Sequence, residues 1–220
     1  EWLAGNRLRG TTAERPSVSL QSPSVGGWVE VGRTTLGSTN DNIAVTSLSD
    51  KRYYMYLFDG QPSGQIAGVV RLNSDTGNNY SARYSTNGGS DGTGTSQSYM
   101  NLTPAASSLP EFGVGYLSNL STKEKLMLAH SVEQNTAGAG TSPQRREATG
   151  KHAQTSNPIS AITLNNQGSG DFASGSEVVV LGWDPSDSHT TNFWEELASV
   201  ELGSAGDNLS SGTISAKKYL

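Results

Sequence analysis

Apolar and polar residues alternate over short stretches of this chain, as expected of β-strands with one buried face. The stretch "RYYMYLF", residues 52–58, is dense in aromatic side chains, which predicts a central strand covered on both faces. In "NYSARYST", Tyr80, Ala82 and Tyr84 alternate with polar residues, which predicts an antiparallel strand with one wet face. The same criteria predict further strands at "WVEVGRTTL", "IAVTSL", "IAGVVRLN", "PISAITLNN" and "SEVVVLGW".

The stretch "STKEKLMLAHSVEQ", residues 121–134, is open to two interpretations. It contains good helix formers, and Ser121 and Glu124 have the spacing of a helix capping box. A strand is favoured, because four side chains fall strictly on alternate positions and the neighbouring stretches are strand-like. These four residues are Leu126, Leu128, His130 and Val132.

Two polar stretches are predicted to be long loops, namely "NGGSDGTGTS" and residues 135–157. The remaining pattern gives roughly six to nine short strands joined by polar turns. It predicts an all-β fold, an antiparallel β-sandwich of jelly-roll-like type. Residues 28–193 would form this domain, and residues 1–27 an extended arm or linker.

The chain repeats its own beginning, since residues 194–220 match residues 28–54 without a gap at 10 of 27 positions. Average residue usage would give about two matches. Residues 194–220 are therefore expected to be a partial second copy of the domain start, in a chain whose ends are cuts within a longer pattern. One hypothesis is that this segment is donated to a neighbouring molecule as an added strand. Its candidate self-association residues are Trp194, Leu197, Leu202, Leu209, Ile214 and Tyr219.

Composition narrows the classes of function. The formal net charge is −5 with no long basic run, so the footprint of a nucleic-acid-binding protein is missing and no nucleic-acid partner is expected. The chain has no cysteine, which excludes disulfides and thiolate metal sites. No apolar run approaches the ~20 residues that span a bilayer, so no membrane insertion is expected.

Candidate catalytic residues are few. The three histidines, His130, His152 and His189, have no ligand partner at metal-binding spacing, so no metal or cofactor is expected. The carboxylates considered for glycosidase chemistry mostly lie beside Gly, Ser or Asn, where Asp forms turns. The loops "NSDTGNN" and "SDGTGTS" are interpreted as Gly-Asx loops in preference to Ca²⁺ sites. No enzymatic activity is predicted.

Aromatic residues offer one candidate binding feature. Flat rings stack on sugars, and Tyr84 and Trp183 are candidate glycan contacts. The alternative is that such residues serve packing, because the tyrosines lie in the best strand candidates.

The order of segments resembles that of a protein family. "WVEVGRTTLGS", then "KRYY", "RLNSDTGNNYSARYS" and "ISAITLNNQGSGDFASGSEVVVLG" resemble virion-associated proteins of tailed bacteriophages and related environmental viruses. These occur in tail-fibre, head-fibre and decoration contexts, and many have a Trp where this chain has His152.

The resemblance implies a non-enzymatic structural subunit, located in the virion, that assembles with copies of itself and other virion proteins. Two alternatives stay open. One is a carbohydrate-binding or adhesive module that recognises a host-surface glycan, and the other is a repeat subunit of a cell-surface filament.

Overall fold

The computed structural model describes residues 28–104, 107–184, 208 and 210–214. Within these residues the protein is all-β, with fourteen strands in three antiparallel sheets and no helix. The largest sheet has eight strands: β1 (Val29–Thr35), β3 (Tyr53–Gly60), β6 (Tyr80–Thr86), β7 (Gly92–Gln97), β9 (Glu111–Ser118), β10 (Lys125–Glu133), β11 (Gln144–His152) and β14 (Glu177–Trp183). The second has four: β2 (Asn42–Val45), β5 (Gly68–Leu72), β8 (Met100–Asn101) and β12 (Ile162–Asn166). The third pairs β4 (Pro62–Ser63) with β13 (Asp171–Phe172).

Strand order differs strongly from chain order. The eight-stranded sheet runs β1-β14-β3-β9-β10-β11-β6-β7, and the four-stranded sheet runs β2-β12-β5-β8. The last strand, β14, therefore lies between β1 and β3. Both edge pairs of the large sheet, β1 with β14 and β6 with β7, contain a register shift of the β-bulge type.

The two large sheets pack face to face and bury one main core between them. From β3, Tyr54, Tyr56 and Phe58 are fully buried on the inner face, where they join apolar residues of the four-stranded sheet such as Val70 and Leu164. Burial of each such side chain contributes about 1.5–3 kcal/mol. Two packed antiparallel sheets make the protein a β-sandwich, which confirms that prediction.

Strand β3 is covered on both faces, as predicted. Its alternate residues, Met55 and Leu57, point to the outer face and form a second cluster with Val179 and Leu181 of β14. All four are at most 4% exposed. The aromatic and aliphatic density of this stretch therefore reflects two buried faces.

Strand β10 resolves the ambiguity between helix and strand. Its residues alternate strictly between buried and exposed over all nine positions, and it pairs along its length with β9 and β11. The prediction of a strand is confirmed, because side chains with a period of two place one row on the core face.

The loop predictions for two polar stretches are wrong. Residues 92–97 form β7, and residues 144–152 form β11, which pairs with both β10 and β6. Their low apolar content does not prevent them from pairing with neighbouring strands. On the inner face of β11, the small residues Ala148 and Gly150 face the core. The described residues also contain more strands than the six to nine expected.

A close approach between β9 and β3 depends on a glycine. A Cβ atom at Gly115 would overlap the phenol ring of Tyr56, which is fully buried. The Tyr56 hydroxyl donates to the sulfur of Met127 at 3.4 Å, so the ring is fixed at both ends. The absence of a side chain at Gly115 therefore leaves the space that the Tyr56 ring occupies.

The first copy of the sequence repeat, residues 28–54, forms β1, β2 and the start of β3. Several repeated residues have structural roles there. The side-chain oxygen of Asn42 accepts a hydrogen bond from the side-chain amide of Asn165 on β12. The backbone carbonyl of Lys51 accepts one from the side-chain amide of Asn119. The arm 1–27 lies outside the described residues, as does the second copy apart from residues 208 and 210–214.

Candidate functional site

The outer face of the eight-stranded sheet carries an open groove of about 810 Å³, here called the outer-face groove. The residues that line it come mainly from β3, β9, β10, β11, β6 and β7. Side chains that point outward line most of it. Those used below are Trp28, Tyr53, Tyr116, Leu126, Leu128 and Trp183.

One end of the groove is an aromatic cluster. Trp183 pairs with Tyr53 across β14 and β3, and their rings stack with centroids 5.3 Å apart. The Trp28 ring lies 6.2 Å from that of Trp183 and 6.3 Å from that of Tyr116. The Trp183 indole Nε1 is enclosed and has no hydrogen-bond acceptor. Four rings thus provide a rigid apolar surface.

The centre of the face is a row of exposed apolar side chains on β9 and β10, here called the apolar stripe. Cross-strand pairing places Leu128 beside Tyr116 and Val132 beside Phe112, and the exposed His130 of β10 lies between these two pairs. The most exposed are Leu128 at 61% and Leu126 at 57%. The complete stripe is Phe112, Tyr116, Leu126, Leu128 and Val132.

Charged residues border the stripe on the side of β11, and they are here called the charged rim. Lys151 lies 3.0 Å from the Glu124 carboxylate, and Arg145 pairs with Glu147. These pairs are half-exposed, and such pairs contribute little to stability. The rim therefore alternates in sign beside an apolar surface.

The two candidate glycan contacts lie on opposite faces of the sheet. Trp183 belongs to the outer-face groove, whereas Tyr84 packs partly buried against the main core. The Arg146 guanidinium lies over the Tyr84 ring at 4.4 Å. The structure therefore does not bring Tyr84 and Trp183 together. Sequence reasoning did not single out Trp28, Tyr53 and Tyr116 as partners of Trp183, because only the strand register reveals that they meet.

The candidate self-association residues of the second repeat copy lie almost entirely outside the described residues. Ile214 is described, and it is half-buried. Self-association through this segment stays a prediction. The residues outside the described part are Trp194, Leu197, Leu202, Leu209 and Tyr219.

A pair of glutamates lies buried inside the sandwich. Glu111 of β9 and Glu133 of β10 are direct cross-strand neighbours, and they are 2% and 1% exposed. Neither carboxylate oxygen of Glu111 has a well-aligned hydrogen bond, and only one oxygen of Glu133 has a donor, the Gln144 amide at 3.2 Å. Two acids are thus held side by side with little compensation.

The environment of Glu111 favours its neutral form. Burial raises the pKa of Glu111 to about 8, and the Glu133 carboxylate adds to the rise. Thr103 and Gly68 lie near enough to oppose part of this increase in pKa. The Gly68 amide donates to the Thr103 hydroxyl at 2.6 Å, so its strongest hydrogen bond is not to Glu111. The positive charge of Arg146 makes the smallest contribution, and it also lowers the pKa of Glu111.

His152 forms a buried contact with a loop. Its Nε2 lies 2.8 Å from Oδ2 of Asp75, and its ring stacks on Tyr80 with centroids 4.4 Å apart. Asp75 also accepts from the Gly77 amide and from the Asn79 side chain, each at 2.8 Å. The carboxylate oxygens of "NSDTGNN" are thus used within the protein, which agrees with a Gly-Asx loop.

The Asp75 carboxylate is stabilised in its charged form. Burial alone would raise its pKa, but hydrogen bonds from His152, Asn79 and Gly77 together hold the pKa of Asp75 below its ordinary value. His152 is 1% exposed, so a buried polar group there requires this partner.

We expect Asp75→Asn to lower the free energy of unfolding at neutral pH by roughly 1–2 kcal/mol, because charge-assisted hydrogen bonds would be lost. A carboxyl group whose pKa is lower in the folded protein than in the unfolded chain stabilises the fold at pH values above its unfolded pKa. That stabilisation is lost as pH falls through its pKa in the folded protein. The difference between variant and wild type should therefore shrink below about pH 4. Urea unfolding at several pH values measures it. Asp91→Asn, which removes only the exposed pair with Arg83, is the control. A constant difference down to pH 2 would contradict the assignment.

The described residues contain no group of three or more His, Asp or Glu side chains that could hold a metal ion. Across the same part of the chain, no helix has the length and apolar character to cross a membrane. Comparison with known proteins found no matching family model, no matching curated protein and no matching solved structure. The fold and the site together define a β-sandwich with an exposed apolar face.

Proposed function

We propose that this chain is a non-enzymatic structural subunit of a virus particle and that it assembles through the outer face of its large sheet. The observation that carries the proposal is the apolar stripe. Its five large side chains, on two neighbouring strands, are 41–61% exposed. Contiguous apolar patches on soluble proteins usually mark interaction surfaces.

Three further features support a role in assembly. The sequence resembles virion-associated proteins over residues 28–183, and the domain start is repeated along the chain. Among the described residues, the exposed large apolar side chains lie on β9, on β10 or on the connection between them, and not on the four-stranded sheet. A jelly-roll-like arrangement of the sandwich and a location in the virion belong to this proposal.

Purified particles test the proposal. We expect an antibody against the sandwich to decorate intact capsids or tails in electron micrographs. Quantitative mass spectrometry should find the chain in a fixed ratio to the major capsid protein. A chain that is made during infection but is missing from washed particles would contradict the proposed role.

A carbohydrate-binding module is the second candidate, and the aromatic cluster favours it. Tyr53, Tyr116 and Trp183 present ring surface at one end of the groove, and hydroxyl groups of Thr149 on β11 and of Thr93 and Thr95 on β7 line the rest of it. Rings that stack on sugars beside hydrogen-bonding groups are a common way to bind a glycan. The centre of the face is, however, occupied by leucines, which favours protein over sugar.

A further inference from the structure

We propose that the occupant of the apolar stripe is the stripe of a second copy of this chain, packed face to face about a two-fold axis. The inference rests on the proposed function and names the partner of its assembly surface. In such an interface, Leu126 and Leu128 of one copy would meet Tyr116 and Leu128 of the other. Sheets pack in this way about 10 Å apart, with their side chains interdigitated.

The edges of the large sheet are poorly suited to association, which leaves the face. An edge strand can recruit another chain through its unpaired backbone groups, and bulges prevent this by twisting the edge away. Strand β1 has a bulge between Glu30 and Gly32, and the β6 and β7 pair has one between Tyr80 and Ala82. Both edges of the eight-stranded sheet are therefore blunted, whereas the outer face between them carries the apolar stripe.

The open area lies close to what a stable dimer needs. Strand β3 is covered on its outer face, so the open part of the face runs over the five neighbouring strands from β9 to β7. At about 4.8 Å between strands and roughly 27 Å of strand length, its flat projection measures about 520 Å². Specific interfaces bury about 600–1,000 Å² of accessible surface on each partner, and protruding side chains give a sheet face more accessible surface than its flat projection.

The charges around the stripe suit a second copy better than a charged partner. Lys151 and Glu124 cancel, and Arg145 and Glu147 cancel, so the charged rim is neutral overall although the chain carries −5. Under a two-fold axis a rim that alternates in sign can pair with itself. A strongly acidic or basic partner would gain nothing from such a rim.

Leu128→Lys tests the inference on the full 220-residue chain. We expect multi-angle light scattering to give the mass of a dimer for the wild type at high micromolar concentration. The variant should dimerise roughly a hundredfold more weakly, because an ammonium group would be buried without a partner. Ala44→Lys is the matched control, since Ala44 is exposed on the other sheet, and it should dimerise like the wild type. Circular dichroism and thermal melting of each variant establish that it is folded.

Three results would overturn the inference. One is a wild type that stays monomeric at the highest soluble concentration, and another is a folded Leu128→Lys variant that dimerises normally. The third is a monomer that binds a glycan saturably and loses that binding with Trp183→Ala, which would assign the face to sugar. None of these results depends on whether the chain is found on particles, so failure of the dimer and failure of the virion role are distinguishable.

Discussion

Glu111→Gln is expected to make the protein more stable than the wild type in alkaline solution, by on the order of 4 kcal/mol above pH 8. The wild type holds Glu111 and Glu133 side by side within the core, where neither oxygen of Glu111 has a well-aligned donor. A glutamine has nearly the same shape and carries no charge at any pH. It therefore removes the cost of ionising Glu111 without opening a cavity.

The direction follows from the raised pKa. Folding moves the pKa of Glu111 from 4.5 to about 8, so the folded protein binds the proton more tightly than the unfolded chain does. The stabilisation that comes from this tighter proton binding is fully present below pH 4.5. It is lost as pH rises through the pKa of Glu111 in the folded protein. The variant should lack this decline. Near pH 4 the variant and the wild type should be about equally stable.

Urea unfolding followed by tryptophan fluorescence at intervals between pH 4 and pH 9 would measure the effect. Glu30→Gln is a suitable control because Glu30 is partly exposed and paired with Arg33 on the outer face. We expect it to change stability by less than about 0.5 kcal/mol at any pH. A Glu111→Gln variant that declines with pH as steeply as the wild type would show that Glu111 is not the group responsible.

Gly115→Ala is expected to lower the free energy of unfolding by ~3 kcal/mol or more. Its methyl group would overlap the Tyr56 ring, which is fully buried and cannot move without displacing its neighbours. The backbone of β9 cannot retreat either, because it is paired on both sides with β3 and β10. Chemical denaturation at neutral pH measures the loss.

Gly37→Ala is the matched control, because nothing lies within 4 Å of a Cβ atom there. It should be neutral or slightly stabilising. In the Gly115→Ala background, Tyr56→Leu should cost far less than it does alone, because removing the ring also removes the overlap. Additive losses in the double variant would mean that the two residues do not compete for the same space.

The parts of the fold that could be predicted are those where side chains alternate or cluster strongly. Strand β10 was identified by its period of two, and β3 by its aromatic density. Strands β7 and β11 were missed because backbone pairing with β6 and β10, rather than apolar content, holds them in the sheet. A strand between two partners can consist largely of polar residues, and local composition does not reveal those partners.

The candidate site was less predictable because it depends on register between distant segments. Sequence alone makes Trp183 a candidate glycan contact, but the rings that form a cluster with it, Trp28 and Tyr116, lie far away in the chain. The pairs Glu111 with Glu133 and Asp75 with His152 likewise lie 22 and 77 residues apart in sequence and meet only in the fold. A single sequence contains each residue type but not these distances.

The position of β14 between β1 and β3 determines the order in which the protein can be built. During synthesis, β1 and the β14-facing edge of β3 leave the ribosome without their partner, which is completed only at Trp183. Because the large sheet stays open until then, the nascent domain exposes an unpaired strand edge for most of its translation. Folds dominated by such distant pairings form slowly and are vulnerable to aggregation while they wait. Strand β1 and the β14-facing edge of β3 are therefore open to wrong pairing until Trp183 has been made.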